Sequence, residues 1–226
     1  MIAGCAHHVT QRGNDGQTVF VEDEDREVFL ALLREASRRF AVAVEGYCLM
    51  SNHVHVIARP QTEEALGMAM KRTNQLYAQY VNRRYDHRGH LWQDRFFSCP
   101  LGEAHFWKAL AYVERNPVRA RLCRKPWRWI WSSAAAHCGG QDASGLLDLV
   151  AWNGQIDTAW WKDRLGQPED EKERRLFQLC THRGRPFADT AFLDRWEKRL
   201  GFRLRPRIPG RPKKAKTKSK KTRVRP

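Results

Sequence analysis

Along the first sixty residues the spacing between apolar positions changes several times, and each spacing predicts one helix or strand. In three segments apolar side chains alternate with polar ones. In a fourth segment, which follows a run of acidic residues, apolar side chains recur at helical spacing. Ser51 and Asn52 separate the last two alternating segments, which predicts a β-hairpin. The predicted elements are a strand over 6–12, a helix from about 22 to 40, and strands over 41–49 and 53–58.

The next part of the chain repeats the succession of helix and strand. A residue that precedes proline is pushed out of the helical region, so the last helix here is predicted to end at Asn116. The predicted elements are a helix over 63–84, a strand within 91–100 and a helix over 104–115. Two half-units of this kind predict an α+β fold, a ferredoxin-like or RRM-like antiparallel sheet with helices packed on it.

Beyond residue 140 the composition changes. A glycine-rich and polar linker over 139–144 is followed by short helical patterns near 157–165, 169–179 and 189–200. We therefore predict that the α+β domain spans residues 1–140, followed by a small helical C-terminal appendage over 141–200 and a disordered basic tail over 201–226.

The tail carries most of the net charge. It contains 12 of the 41 Lys and Arg residues and no acidic residue, which leaves 29 basic against 25 acidic residues in the rest of the chain. Such a segment has little to bury and is expected to be disordered when free. It could be a solubilising extension, but Arg211, Lys213 and Lys214 lie in a PGRPKK segment that resembles an AT-hook, which enters the minor groove of DNA.

Cysteine spacing and hydropathy indicate a protein of the cytoplasm, and the basic tail predicts association with the nucleoid. The six cysteines have no paired or regular spacing, as expected for reduced thiols rather than a disulfide framework. No signal peptide pattern opens the chain, and no apolar run approaches the roughly 18 residues of a membrane span. We predict neither a membrane partner nor a small-molecule cofactor.

His53 and His55 stand one residue apart in a predicted strand, so both side chains project from the same face of the sheet. A buried histidine is often a hydrogen-bonded packing residue, and two ligands alone rarely hold a labile cation. A histidine-triad enzyme would need a third histidine at position 57, which is Ile. The pair therefore predicts a metal site only if a third ligand is found.

Tyr112 and Asn116 lie one turn apart on one face of a predicted helix. If that face packs on the histidine side of the sheet, the Asn116 carboxamide oxygen can complete a site for Mg²⁺ or Mn²⁺, with Tyr112 beside it. The cation would neutralise charge on a phosphate, and the Tyr112 phenolate would attack phosphorus. Tyr77 and Tyr80 fit the apolar stripe of their own helix and are predicted to be core residues.

Five segments of the chain, taken in order from residue 6 to about 140, resemble the REP-associated tyrosine transposases. This family belongs to the single-tyrosine HUH transposases related to bacterial insertion-sequence enzymes. The segments are HVTQRGN (8–14), YCLMSNHVH (47–55), GHLWQDRF (89–96), YVERNPVR (112–119) and WSS (131–133).

The resemblance implies that His53 and His55 are metal ligands, that Tyr112 is the nucleophile and that Asn116 is an additional ligand. It also implies a single-stranded DNA substrate that bears a palindromic hairpin, cut through a covalent 5′-phosphotyrosine intermediate and then rejoined. The expected enzyme is a single-stranded DNA endonuclease and strand transferase, either a monomer or a homodimer. Basic candidates for contacts with DNA are Arg83, Arg84 and Arg95, besides the three residues of the tail.

Two other interpretations are consistent with the residues. The protein could be a domesticated DNA-binding or regulatory protein that binds hairpin DNA without cleaving it. It could also be a replication-initiator nickase of the same chemical superfamily, although the remaining motifs match the transposases better.

Overall fold

A computed structural model describes residues 1–150, 152 and 156–205. Within these residues four strands form one antiparallel sheet in the order β2-β3-β1-β4. The strands are β1 (His7–Arg12), β2 (Val42–Leu49), β3 (His53–Pro60) and β4 (Phe97–Pro100). The helices are α1 (Asp23–Arg39), α2 (Ala65–Arg84), α3 (Glu103–Glu114), α4 (Asn116–Arg119), α5 (Ala134–His137), α6 (Thr158–Gly166), α7 (Glu171–His182) and α8 (Thr190–Leu200).

Helices cover both faces of the sheet. Val54 and Val56 of β3 belong to one hydrophobic cluster, in which α1 and α2 pack on the sheet. Ile57, also on β3, belongs to a second cluster that includes residues of α3, α6 and α7. Alternation along β3 thus sends successive side chains to opposite cores. The predicted α+β class is confirmed, and the strand order agrees with the ferredoxin-like prediction.

The α1–α2 layer is fastened by tyrosines and one buried carboxylate. Asp25 accepts hydrogen bonds from the backbone amides of Val21 and Glu22 at 2.8 and 2.9 Å, which completes a capping box at the start of α1. The hydroxyl of Tyr80 donates to the same carboxylate at 3.0 Å. Tyr77 is fully buried and donates to the Val19 carbonyl at 2.6 Å, so the prediction that both tyrosines serve the core is confirmed.

Helix α3 crosses the other face of the sheet at Gly46 of β2. A Cβ atom at this position would collide with the Leu110 side chain, so the absence of a side chain lets the helix approach the strand closely. The register of β2 and β3 shifts between Val44 and Gly46, which marks a bulge at the same place. The C-terminal half of α3, which bears Tyr112, is therefore held near β3.

Glu114 fixes the C-terminal end of α3. Its carboxylate is completely buried and accepts hydrogen bonds from Ser133 at 2.6 Å and from the Trp161 indole at 2.9 Å. His137 lies 2.5 Å from the same carboxylate. Helix α5 with its capping residue Ser133, and Trp161 of α6, thus converge on one side chain of α3.

The C-terminal helices were predicted within a few residues of their observed bounds. Trp161 of α6 and Phe177 of α7 lie in the same hydrophobic cluster as the α3 face of the sheet. The domain boundary near residue 140 stays a prediction, and the tail residues Arg211, Lys213 and Lys214 lie outside the described residues. Among the described helices, none is long and apolar enough to span a bilayer.

Strand β4 comprises Phe97–Pro100, which confirms the strand predicted within 91–100, and the preceding residues form a loop along the end of β1. One boundary differs from the prediction. Asn116 does not close a helix, since α3 ends at Glu114 and Asn116 opens the four-residue helical turn α4 with Pro117 in its first turn. Proline is accepted there because the first turn of a helix needs no amide donor from it.

We expect Glu114→Ala to lower the free energy of unfolding by about 3–5 kcal/mol, since three buried partners lose their acceptor. Urea denaturation followed by circular dichroism measures this change. Glu35→Ala removes an exposed carboxylate from α1 and should change stability by less than about 0.5 kcal/mol. Equal effects of the two substitutions would contradict a structural role for Glu114.

Candidate active site

The four residues predicted to carry the chemistry line one cleft. His53 and His55 come from β3, Tyr112 from the last turn of α3, and Asn116 from the start of α4. The cleft has a volume of about 680 Å³ and lies on the α3 face of the sheet, with α7 as its far wall. The rings of His53 and His55 have centroids 4.9 Å apart, and the Tyr112 ring lies 6.0 Å from that of His55.

His53 has one ring nitrogen occupied and the other available. Its Nδ1 lies 2.7 Å from the Asn52 carboxamide oxygen, which can only accept, so Nδ1 carries the proton. The Asn52 nitrogen donates to the Gly16 carbonyl at 3.1 Å, which fixes the orientation of the amide. The Nε2 atom of His53 is then unprotonated and can act as a ligand.

His55 is oriented by His8, which sits on the neighbouring strand β1. His55 Nδ1 lies 2.9 Å from His8 Nε2, and His8 Nδ1 lies 3.0 Å from the Thr181 hydroxyl of α7. When His55 presents Nε2 as a ligand, its Nδ1 proton is donated to His8, whose own proton is donated to Thr181. Such a partner behind a histidine ligand fixes its tautomer and ring orientation.

Burial keeps these imidazoles neutral. Desolvation lowers the pKa of His53 to about 4 and that of His8 to about 3, with nearby positive charge as the lesser cause. Burial likewise lowers the pKa of His55 well below its ordinary value. A neutral ring is the form that binds a metal ion, so the site does not have to lose protons near pH 7 to accept one.

Tyr112 is half-buried between an arginine and α7. The Arg119 guanidinium lies 4.0 Å from the centre of the phenol ring and donates to the Tyr112 carbonyl at 2.7 Å. Glu169 holds the same guanidinium with bonds of 2.9 and 3.0 Å. On the other side, Gln178 donates to the phenol oxygen at 3.3 Å, and the Phe177 ring packs edge-on at 4.8 Å.

Hydrogen bonds to backbone carbonyls of α3 orient the Asn116 side chain. Its amide nitrogen lies within 3.4 Å of the Tyr112 carbonyl and 3.2 Å of the Val113 carbonyl. Donation to α3 leaves the carboxamide oxygen as the ligand atom available to the cleft. The helical turn α4 therefore supplies both the amide oxygen of Asn116 and the Arg119 guanidinium that lies against the Tyr112 ring.

Among the cleft residues to which the sequence assigned no role, several contact the predicted site residues directly or through His8: His8, Arg119, Gln178 and Thr181. Alternation along β1 could have indicated His8, since it shares a face with Thr10 and Arg12. Gln178 and Thr181 carry no such signal, because they are 66 and 173 residues distant in sequence from their partners Tyr112 and His8.

The predicted basic contacts lie elsewhere. Arg83, Arg84 and Arg95 do not line the cleft. The Arg84 guanidinium forms ion pairs with Glu22 at 2.5 Å and Glu24 at 2.7 Å, which join the end of α2 to the start of α1. Arg83 is exposed, and Arg95 lines a second cavity beside α2. Their contact with DNA stays a prediction.

The sequence profile described as "Transposase IS200 like" matches residues 2–116, which span every strand, Tyr112 and Asn116. The chain belongs to the IS200-like transposase family. The predicted relationship with insertion-sequence transposases is confirmed, whereas the narrower REP-associated type stays a prediction. This IS200-like transposase is therefore a DNA-processing enzyme of the transposase kind.

A solved structure of a REP-associated tyrosine transposase bound to a REP hairpin is similar in fold, with a TM-score of 0.53 at 14% identity. The match covers 69% of this chain and 89% of that one. A protein of Deinococcus radiodurans R1 assigned as a transposase matches at 17% identity and a TM-score of 0.34, over 51% of this chain and 92% of that one. Among curated sequences, none matches this transposase significantly.

In the metal-free protein the ring signals of His8 and His53 should stay constant by NMR from about pH 8 to about pH 5.5. Histidines of the unfolded chain take up protons near pH 6.5, whereas His8 and His53 have a pKa of about 3 and about 4. Their contribution to stability is thus complete above pH 6.5 and is lost as the pH falls towards 4. A midpoint above about pH 5.5 for either ring would contradict the burial argument.

Proposed function

We propose that this protein nicks single-stranded DNA beside a hairpin and transfers the cut strand, through a covalent bond between Tyr112 and a 5′-phosphate. One observation carries the proposal. The phenol of Tyr112 and two neutral imidazoles with a free Nε2 atom line the same cleft, next to the Asn116 carboxamide. Family membership supplies the class of reaction, and the cleft supplies the residues that would perform it.

His53, His55 and Asn116 would hold a divalent cation. The described residues contain no cluster of three or more His, Cys, Asp or Glu side chains able to hold a metal. The remaining donor set is therefore two imidazoles and one amide oxygen, because His8 uses its Nε2 on His55. A mixed nitrogen and oxygen set with open positions fits Mn²⁺ or Mg²⁺ bound together with a phosphate group.

When bound, the cation would neutralise negative charge on the phosphate and orient the scissile bond. The Tyr112 oxygen would give up its proton and form a bond to phosphorus as the bond to the 3′-oxygen breaks. The leaving 3′-oxygen would take up a proton and become a hydroxyl, so the number of protons is unchanged. The phosphotyrosine ester keeps the bond energy, so another 3′-hydroxyl can reverse the step and join strands.

The neighbours of Tyr112 support this role. The Arg119 guanidinium, fixed by Glu169, places positive charge against the ring that bears the nucleophile. Gln178 donates a hydrogen bond to the phenol oxygen at 3.3 Å. Both groups would stabilise negative charge on the oxygen when the ester is broken again.

Hairpin DNA is the substrate that we infer. The similar structure contains a REP-associated tyrosine transposase bound to a REP hairpin, and the net charge of +16 favours a polyanion. The PGRPKK segment with Arg211, Lys213 and Lys214 would add salt-sensitive contacts to DNA. Binding to DNA would keep the protein at the nucleoid.

Incubation with 5′- and 3′-labelled hairpin DNA and Mn²⁺ tests the reaction. The wild type should form a covalent adduct stable to denaturing electrophoresis, and Tyr112→Phe should form none, since it lacks the attacking oxygen. Tyr80→Phe, on the opposite face of the sheet, is the matched control and should retain the adduct. Hairpin binding without any adduct would overturn cleavage and favour a DNA-binding protein.

His8→Ala should weaken binding of Mn²⁺ about 10- to 100-fold, as removal of partners behind metal ligands does elsewhere. The physical reason is that His55 loses the acceptor for its Nδ1 proton. Isothermal titration calorimetry gives the affinity, with Thr10→Val as the control, because Thr10 lines the cleft opposite His55 and its side chain takes no part in the hydrogen bonds of the two histidine rings. Unchanged affinity in His8→Ala would contradict the proposed metal site.

A further inference from the structure

Arg12 is the last residue of β1 and lies directly opposite His53 of β3. Residues opposite each other in an antiparallel pair point to the same face of the sheet, with Cβ atoms roughly 4.5–5.5 Å apart. Arg12 therefore shares the face of His53 and His55, and it lines the cleft together with them. The chemistry proposed for Tyr112 and the metal ligands does not use this guanidinium.

The cleft is lined by three arginines, of which two are engaged by carboxylates. They are Arg12, Arg119 and Arg174. Glu169 binds Arg119 at 2.9 and 3.0 Å. Arg174 lies 3.3 Å from Glu171 and 3.9 Å from Glu169. Arg12 is exposed, and within the described part of the chain its guanidinium has neither a carboxylate nor a hydrogen-bond acceptor. Its donors are therefore open to a ligand.

The turn that follows β1 places the Arg12 side chain beside the metal ligands. Gly16 has a φ of +73°, and a Cβ atom there would lie 3.2 Å from a terminal nitrogen of the Arg12 guanidinium. The Gly16 carbonyl accepts a hydrogen bond from Asn52, the residue whose oxygen orients His53. The backbone of Arg12 is held as well, since its carbonyl accepts from the Gln93 amide at 2.9 Å. One turn thus positions both the guanidinium and the imidazole.

Positive charge from two arginines reaches His53. Burial is the main cause of its low pKa, about 4, and the charges of Arg12 and Arg119 are the lesser causes. A phosphate on a cation at His53 would therefore meet two guanidiniums. Arg119 donates to Glu169 and to the Tyr112 carbonyl, so its donors are already occupied. Arg12 is the arginine that can bind the phosphate oxygens.

Negative charge builds up on the non-bridging oxygens of a phosphodiester while it is attacked. A guanidinium can donate two parallel hydrogen bonds to a pair of such oxygens, which a lysine ammonium cannot do in the same geometry. Donors that are already in place before the reaction stabilise the charge of the transition state most effectively. Arg12 has both properties, because its charge is permanent and its backbone is fixed on both sides.

We propose that the Arg12 guanidinium binds the non-bridging oxygens of the phosphate that lies at the metal site. This inference rests on the proposed function. In the nicking reaction Arg12 would act together with the cation to neutralise the charge that develops when Tyr112 attacks phosphorus. Arg119 would serve the tyrosine, and Arg12 the phosphate.

Single-turnover adduct formation at saturating hairpin DNA and Mn²⁺ tests this role. Arg12→Ala should slow the reaction about 10²- to 10³-fold, as loss of one donor to a developing oxyanion does elsewhere. Arg12→Lys keeps the charge without the fork and should give an intermediate rate. Arg38→Ala is the matched control, because it removes an exposed arginine from α1, and it should react within about twofold of the wild type. A wild-type rate in Arg12→Ala would overturn the proposal.

A methylphosphonate at the cleaved position distinguishes charge neutralisation from a structural role. This substitution replaces one non-bridging oxygen by a methyl group and removes the negative charge. The deficit of Arg12→Ala relative to the wild type should then shrink to about tenfold or less, because there is less charge to neutralise. An equal deficit on both substrates would mean that Arg12 acts only through the structure of the cleft, and would overturn the proposal.

A binding measurement that needs no cleavage compares Tyr112→Phe with the double variant that also carries Arg12→Ala. Methylphosphonates are placed singly along the single-stranded flank of the hairpin, and fluorescence anisotropy gives each affinity with and without Mn²⁺. The position whose penalty grows with Mn²⁺ marks the phosphate at the metal. There the penalty should be about tenfold with Arg12 and several-fold smaller without it. Equal penalties at that position in the two proteins would overturn the proposal.

The adduct and binding measurements separate this inference from the proposed function. Adducts that form equally fast in Arg12→Ala, with equal methylphosphonate penalties, would overturn the role of Arg12 and leave the nicking reaction standing. A penalty that depends on both Mn²⁺ and Arg12, in a protein that forms no adduct, would support phosphate binding by Arg12 and overturn cleavage.

Discussion

The pairing of β1 with β3 is the constraint on which the candidate active site depends. Thr10 lies opposite His55 and His8 opposite Ile57, so His8 is the diagonal neighbour of His55 on one face of the sheet. Diagonal neighbours in an antiparallel pair are within reach of a long side chain, and the bond between the two imidazoles follows. A slip of one residue would turn His8 into the α1–α2 core and remove the orienting partner of His55.

Helix α3 places the proposed nucleophile on this face of the sheet, and several independent contacts fix the position of the helix. Gly46 permits the close approach of the helix, and the buried Glu114 carboxylate ties its end to three distant groups. The same turn of chain then carries Asn116 and Arg119. Because Tyr112, the amide oxygen and the guanidinium are attached to one rigid element, their mutual geometry does not depend on a mobile loop. Rigid attachment of this kind is what a reacting site requires.

The far wall of the cleft comes from α7, which lies outside the residues matched by the family profile. Gln178 donates to the Tyr112 oxygen, and the Thr181 hydroxyl bonds His8, so this helix contacts both the tyrosine and the histidines of the site. Strand β4 pairs with β1 only as far as Thr10, and beyond it the backbone amide of Gln93 donates to the Arg12 carbonyl at 2.9 Å.

The sequence by itself determined the order of elements, the α+β class and the residues at the centre of the cleft. Period-two and helical patterns are local, so they place His53 and His55 on one face and Tyr112 one turn from Asn116. Tertiary structure alone decided which side chains surround that centre. His8, Gln178 and Thr181 meet it through strand pairing and helix packing over long separations in sequence. Arg84 shows the converse, since a basic residue chosen for DNA is engaged by carboxylates of α1 and its capping residue that no local pattern brings near it.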